Sequence, residues 1–339
     1  MKLLTITIPC YNSQAYMKKC IEHALLGGDE VEIIVVDDGS TDDTAKIADD
    51  YAKRYPNIVK AIHKENGGHG DAVTSGIKAA TGTFFKVCDS DDWLDKKAFP
   101  KVLDKLREVR DAGTELDMLL TNYIYDKVGR RYKRVMRYTD ALPEEEILSW
   151  DTVKLRFKRR QFVMMHSVIY RTAMLQEMGL ELPKHTFYVD NIYVFQPMLQ
   201  VKTFMFLNVD LYHYYIGREG QSVNEKTMIK RIDQQIFINK YLIDYFSENK
   251  PENPELYKFL RKYVDMMMCV SSSLCLVGKT KELLEKKRDL WKYLKEKDKS
   301  LYKELRRSLL GVFMNFPGAP GRAVSRLSYR ITQKLFGFN

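Results

Sequence analysis

Thr83-Phe84-Phe85-Lys86-Val87-Cys88-Asp89-Ser90-Asp91-Asp92-Trp93 decides how this chain is read. The first six residues form a mostly apolar run that predicts a strand, and the strand stops in three carboxylates within four residues. Carboxylates crowded at the end of a buried strand repel one another and lose hydration. Capping the helix expected from about Asp95 explains one of them, since one acceptor oxygen suffices there. A hard divalent cation that brings its own diphosphate ligand explains more of them, and that reading is favoured over a solvated loop.

On either side of this turn, strand and helix alternate. Leu3–Pro9 and Val31–Val36 read as fully apolar strands and Asn57–His63 as a third. Helices are expected over Ala15–Leu26, Thr44–Tyr55 and about Asp71–Ala80, the last after the glycine turn Gly67-Gly68-His69-Gly70. That spacing predicts an α/β fold with a mostly parallel, doubly wound sheet. Ligands bind beyond the carboxyl ends of strands in such sheets, and Asn12, Asp38 and Asp91 all fall there. Further on, Met118–Tyr125 and Thr203–Tyr215 predict strands, and helix is expected over Lys96–Val109, Thr172–Met178 and Ile192–Gln200. Arg130-Arg131-Tyr132-Lys133-Arg134 reads as a solvated edge or hairpin. Asp190, ahead of an apolar helix, is by pattern alone a helix cap.

Length and charge set the outer limits. A chain of 339 residues accommodates one large domain, expected over 1–225, and an appendage over 226–339. Formal net charge is +10, unevenly placed: residues 226–339 carry 24 Lys and Arg against 12 Asp and Glu, while 1–225 carry 31 against 33. A near-neutral first part and a basic, helical second part point to an anionic partner for the latter. Within 322–338, Arg322, Arg326, Arg330 and Lys334 recur every four residues, with Val324, Leu327, Ile331, Leu335 and Phe338 on another face. That pattern suits a helix lying in an anionic membrane interface, against the alternative of a helix docked on its own domain. The tail interleaves few aromatics and matches no nucleic-acid reader, so no nucleic-acid partner is expected. Five cysteines without ligand-like spacing read as reduced thiols of a cytoplasmic protein. Neither a secretory leader nor an eighteen-residue apolar run is found.

With these pieces in place, residues 3–225 resemble a family-2 glycosyltransferase of the GT-A fold, a Rossmann-like architecture. The resemblance rests on Ile8-Pro9-Cys10-Tyr11-Asn12, Val36-Asp37-Asp38-Gly39-Ser40-Thr41-Asp42, Asn66-Gly67-Gly68 with Gly76, and Asp89-Ser90-Asp91-Asp92-Trp93. It implies a UDP-sugar donor, with Mn²⁺ or Mg²⁺ as a Lewis acid on the leaving diphosphate. By likeness Asp91 is the direct metal ligand, with Asp89 on the metal or ribose, and Asp38 accepts a base N–H. Tyr11 stacks on the base above the turn shaped by Pro9. Asn12, Asn66, Gly67 and Ser90 complete the donor side, and Arg218 holds the diphosphate. The base of an inverting reaction falls on Asp190, in Val189-Asp190, where relatives carry a Glu-Asp pair. Relatives often have Arg-Asn before the glycine matching Gly76, where this chain has Thr74-Ser75. His69 reads as a loop residue, and His213 as a hydrogen-bonded strand residue in preference to a metal ligand. Trp93 either floors the acceptor site or packs under the metal loop. The implied activity moves one sugar to a membrane-associated acceptor, such as a lipid-linked saccharide, glycolipid or wall or capsule polymer, from the inner face of the cell membrane. The alternatives are transfer to a polyprenyl phosphate, or a non-catalytic anion-binding or membrane-binding protein on the same scaffold.

Overall fold

The computed structural model describes every residue except 1, 130–132, 159–160, 218–220, 222 and 337–339, and gives backbone alone for 331–336. It divides into two compact units, Met1–Ile216 and Gly217–Asn339.

The first unit is built on a ten-stranded sheet. Strands β1 (Leu4–Cys10) and β2 (Val31–Asp37) are buried at every residue, as expected of parallel strands covered on both faces. Each fully buried Ile, Leu or Val here contributes about 1.5–3 kcal/mol. They pair in parallel with each other, β2 with β3 (Val59–His63), and β1 with β4 (Phe84–Val87). The remaining strands are β5 (Trp93–Leu94), β6 (Met118–Lys127), β7 (Arg134–Met136), β8 (Leu148–Ser149), β9 (Val168–Arg171) and β10 (Thr203–Ile216). Their order is β3-β2-β1-β4-β9-β6-β10-β5, with β7 on β6 and β8 on β10. Only β9 reverses direction between the two parallel groups, lying antiparallel to both β4 and β6.

Helices α1 (Met17–Ala24), α2 (Thr44–Arg54), α3 (His69–Ala79), α4 (Ala98–Asp111), α5 (Thr172–Glu177) and α6 (Asp190–Phe195) complete this unit. The helix expected over Ile192–Gln200 is shorter, because Pro197 supplies no N–H to continue it and the chain tightens into a 3₁₀ turn over Pro197–Leu199. Asp190 is the first residue of α6, not its cap, which is Val189.

The second unit is helical throughout: α7 (Glu225–Lys230), α8 (Ile232–Glu248), α9 (Pro254–Gly278), α10 (Lys281–Lys297), α11 (Lys299–Arg307), α12 (Leu309–Met314) and α13 (Gly318–Phe336). Asn253, Thr280, Asp298 and Ser308 cap α9 to α12 through their side chains. Helices α11 and α12 are absent from the sequence reading because each is too short for periodicity to stand out. Gly318 and Pro320 lie in the first turn of α13, which tolerates a missing N–H. No described helix is long and apolar enough to cross a membrane.

Candidate active site

The site forms where β1, β2 and β4 end. Asn12, at φ 49°, lies in the left-handed region, which Asn tolerates better than most residues. Its Oδ1 accepts the Thr41 N–H at 2.9 Å, and its own N–H donates to Ser40 Oγ at 3.0 Å. The loops after β1 and β2 are thereby joined. A 2.8 Å contact between the hydroxyls of Ser13 and Ser90 ties both to the acidic turn. Tyr11 stands 55% exposed beside them, and β4 pairs with β1 no further than Thr7, so the strands part before Pro9.

Asp38 is held by the next turn of the chain. It is 2% exposed. Its Oδ1 accepts the Gly67 N–H (2.9 Å) and Lys64 Nζ (2.7 Å), and its Oδ2 accepts the Gly68 N–H (2.7 Å). Asn66 Nδ2 donates to the Asp38 carbonyl at 2.9 Å. Asp38, Asn66 and Gly67 therefore build the glycine turn from inside.

That turn is the seat for the segment bearing Asp190. The His185 N–H donates to the Gly67 carbonyl at 2.7 Å, and the Leu182 N–H to Thr74 Oγ1 at 3.0 Å. A Cβ on Gly70 would meet the Pro183 carbonyl at 2.8 Å and Leu182 Cβ at 2.9 Å, so only glycine admits the approach. Thr74, which departs from the pattern of relatives, and Gly70 are thus part of how this chain brings Asp190 in.

In the acidic turn each carboxylate has its own setting. Asp89 Oδ1 lies 2.8 Å from His69 Nε2. Burial opposes both charges, yet each holds the other: His69 is pushed above its ordinary value by Asp89, with Asp190 and Asp38 adding, and Asp89 is held below the usual carboxylate range. The Tyr212 hydroxyl accepts the Asp89 N–H (3.1 Å) and donates to Asp92 Oδ2 (2.6 Å), while the Tyr215 N–H donates to Asp92 Oδ1 (2.7 Å). Burial and then the Asp89 charge push Asp92 well above an ordinary aspartate. Asp91 is half-buried between Ser90 and Asp92. Asp190 is raised to about 6, chiefly by burial, with Asp89 reinforcing and His69 opposing. His69 is thus the common neighbour of Asp89, Asp190 and Asp38.

The sequence reading missed a second histidine. His166, in a 3₁₀ turn over Met165–Ser167, is 4% exposed and its ring stacks on Tyr212 at 4.7 Å. Burial lowers it to about 4, so the imidazole is neutral. One donor atom from each of Asp89, Asp92 and His166 lies within 4.8 Å of the others. Among the described residues the donor atoms that converge as a three are these, and Asp91, the ligand expected from sequence, is not one of them. Carboxylate oxygens with an imidazole nitrogen suit a divalent transition ion such as Mn²⁺, so the residues fit a cation here.

His213 stays structural: Nδ1 lies 3.0 Å from Asp126 Oδ2 and Nε2 3.3 Å from Asp95 Oδ2. Trp93 is buried, stacked on His213 at 5.0 Å with Lys19 Nζ 2.8 Å from its ring centroid. Arg218 lies outside the described residues.

Known proteins carry the same plan. The chain is 27% identical to EpsH of Bacillus subtilis (strain 168) over 289 residues, which span 82% of this chain and 77% of EpsH. It is 25% identical over 233 residues to the poly(ribitol-phosphate) beta-N-acetylglucosaminyltransferase TarS of Staphylococcus aureus (strain Mu50 / ATCC 700699), covering 66% of this chain and 37% of TarS. The crystal structure of S. aureus TarS 1-349 in complex with UDP-GlcNAc superposes with a TM-score of 0.67 at 20% identity, over 99% of this chain and 92% of that one. The mannosyltransferase PcManGT from Pyrobaculum calidifontis, in complex with GDP-Man and Mn²⁺, gives 0.53 at 13% identity, over 98% and 87%. Both likenesses show the GT-A fold. The model of "Glycosyl transferase family 2" matches residues 5–178, half of the chain and all of the strand ends described above. The chain therefore belongs to glycosyl transferase family 2.

Proposed function

We propose that this enzyme transfers a single sugar from a UDP-sugar, with inversion and with a divalent cation, to an acceptor held at a membrane surface. The observation that carries the reading is Asp190, enclosed beside His69 and Asp89 and raised to about 6. A carboxylate tuned to that range is ionised near neutral pH yet basic enough to take a proton from an acceptor hydroxyl. Tyr11 offers its exposed ring to the base of the donor nucleotide. Asn12 and Ser90 fix the loops around it, and Asp38, Asn66 and Gly67 hold the turn that orients Asp190. Asp89 and Asp91 bind the cation, and Arg218 receives the diphosphate. Mn²⁺ or Mg²⁺ bound there neutralises charge on the leaving UDP.

TarS is a poly(ribitol-phosphate) beta-N-acetylglucosaminyltransferase and has been crystallised with UDP-GlcNAc, which makes UDP-GlcNAc the first donor to test. The acceptor's place at the inner membrane face is supported by α13, whose apolar residues Val324 and Leu327 face outward, 47% and 61% exposed. Incubating the protein with a panel of UDP-sugars, Mn²⁺ and a bacterial lipid extract tests the reading. UDP release that depends on Asp91 and a glycosylated lipid product are expected; activity only with GDP-sugars or without any cation would refute it.

A further inference from the structure

We infer that His166 is a nitrogen ligand of the divalent cation proposed above for Asp89 and Asp91, converging on it with Asp89 and Asp92 and adding a donor that the acidic turn alone does not supply. The inference rests on the metal-dependent reading above and adds to it a residue from a different part of the chain.

His166 has the position and the unused chemistry for this. Lys86 Nζ donates to its carbonyl at 2.9 Å and fixes the backbone of its turn. Tyr212 stacks on one side of the ring, Tyr214 leans on it at 4.2 Å, and Tyr123 meets it edge-on at 5.6 Å. The ring is therefore held in one orientation. Its Nδ1 is buried without a partner, and among the described residues neither ring nitrogen makes a hydrogen bond. A buried polar atom left unpaired costs about 1–3 kcal/mol. A phenylalanine would fill the same aromatic cage without that cost, so packing alone does not account for histidine.

What faces the ring accounts for it better. Two carboxylates, Asp89 and Asp92, present oxygens within 4.8 Å of the ring nitrogen and of each other. At metal–ligand distances of about 2.0–2.2 Å, donors around a divalent transition ion stand roughly 3 Å apart when adjacent and roughly 4–4.5 Å apart when opposite. The three side chains therefore close on the ion as it binds. The hydrogen bonds from Tyr212 and the Tyr215 N–H leave each Asp92 oxygen a free lone pair. A cation between two buried carboxylates also removes their mutual repulsion. Because imidazole favours transition ions over Mg²⁺, which keeps oxygen ligands and water, the set predicts a preference for Mn²⁺.

The test uses the full chain with Mn²⁺ and UDP, read by electron spin-echo modulation and by Mn²⁺ titration. Wild-type protein should show nitrogen modulation that changes on ¹⁵N-histidine labelling. His166→Asn and His166→Phe should lose it and weaken Mn²⁺ at least ten-fold, with the smaller effect on Mg²⁺. His69→Asn and His213→Asn should keep it, and Phe guards against loss of fold because it fills the cage. Modulation that persists in His166→Asn, or Mn²⁺ binding with no nitrogen signal in the wild type, overturns the assignment alone. Failure of wild-type protein to bind Mn²⁺ with UDP overturns it together with the metal-dependent reading.

Discussion

His69 Nε2 and Asp89 Oδ1 lie 2.8 Å apart at the mouth of the site, joining the start of α3 to the end of β4. The pair titrates against folding in a defined window. His69 is raised in the folded state, so its contribution is full below its unfolded value of about 6.5 and is lost as pH rises through the folded one. Asp89 is lowered, so its contribution is present above about 3.9 and is lost as pH falls through the folded value. Without metal, wild type should exceed His69→Gln in stability between about pH 4.5 and 6.5, by less than about 1 kcal/mol because both groups are partly solvated. Urea melts at pH 5.5 and pH 9 check this; a difference that does not shrink at pH 9 contradicts the pairing.

Asp190 should set the acid limb of the rate. A base raised to about 6 is protonated below that pH, so kcat/KM should fall with unit slope as pH drops through about 6. Asp190→Asn should leave UDP binding within about two-fold and reduce transfer by roughly 10²–10⁴. Calorimetry with UDP and Mn²⁺ beside product formation separates the two effects. Near-normal turnover in Asp190→Asn would move the base elsewhere.

Gly70 should be essential through its missing side chain. A Cβ there would press on the Pro183 carbonyl and Leu182, displacing the segment that carries Asp190. Gly70→Ala is expected to lose about 1–3 kcal/mol by overpacking and to lower kcat more than ten-fold, with UDP affinity little changed. Gly113→Ala is the control: its φ of 64° strains an alanine, a strain Gly70 does not share, but a Cβ there meets nothing within 4 Å. If both variants lose the same activity, the seat is unimportant.

The alternation of apolar strands and amphipathic helices made the parallel half of the sheet legible, because strands buried on both faces leave continuous runs such as Ile33–Val36. The acidic turn was legible for the same reason: charge at the end of an apolar strand stands out. What stayed hidden depends on contacts between distant segments. Nothing in Met164-Met165-His166-Ser167 marks a histidine that the reversal of β9 brings against Asp89 and Asp92. His69 read as a loop residue because its partner is twenty positions away. Asp38 matched a pattern, but its bonds to the Gly67 and Gly68 N–H groups belong to a turn whose shape appears only once β3 has been laid beside β2.

The last prediction concerns α13, where the sequence left two readings open. A helix docked on its own domain should bury its apolar face, yet Val324 and Leu327 are exposed while the small polar Ser325 is buried, donating to the Phe313 carbonyl at 2.5 Å. Leu309 and Val312 on α12 are exposed as well. Arg322 and Arg326 flank the outward face and have no carboxylate partner among the described residues. Outward apolar side chains beside unpaired cations match an anionic bilayer, where insertion of each large apolar side chain contributes about 1.5–3 kcal/mol. Val324→Glu with Leu327→Glu should therefore lower binding to phosphatidylglycerol vesicles at least ten-fold and leave UDP-sugar hydrolysis unchanged, since Ser325 still docks the helix. Binding of the wild type should also weaken as salt rises from 0.05 to 0.5 M, because screening shortens the reach of the arginines to a few ångströms. Sedimentation with vesicles, with and without anionic lipid, reads both effects. Equal sedimentation of the double variant would mean that this face meets something other than a membrane.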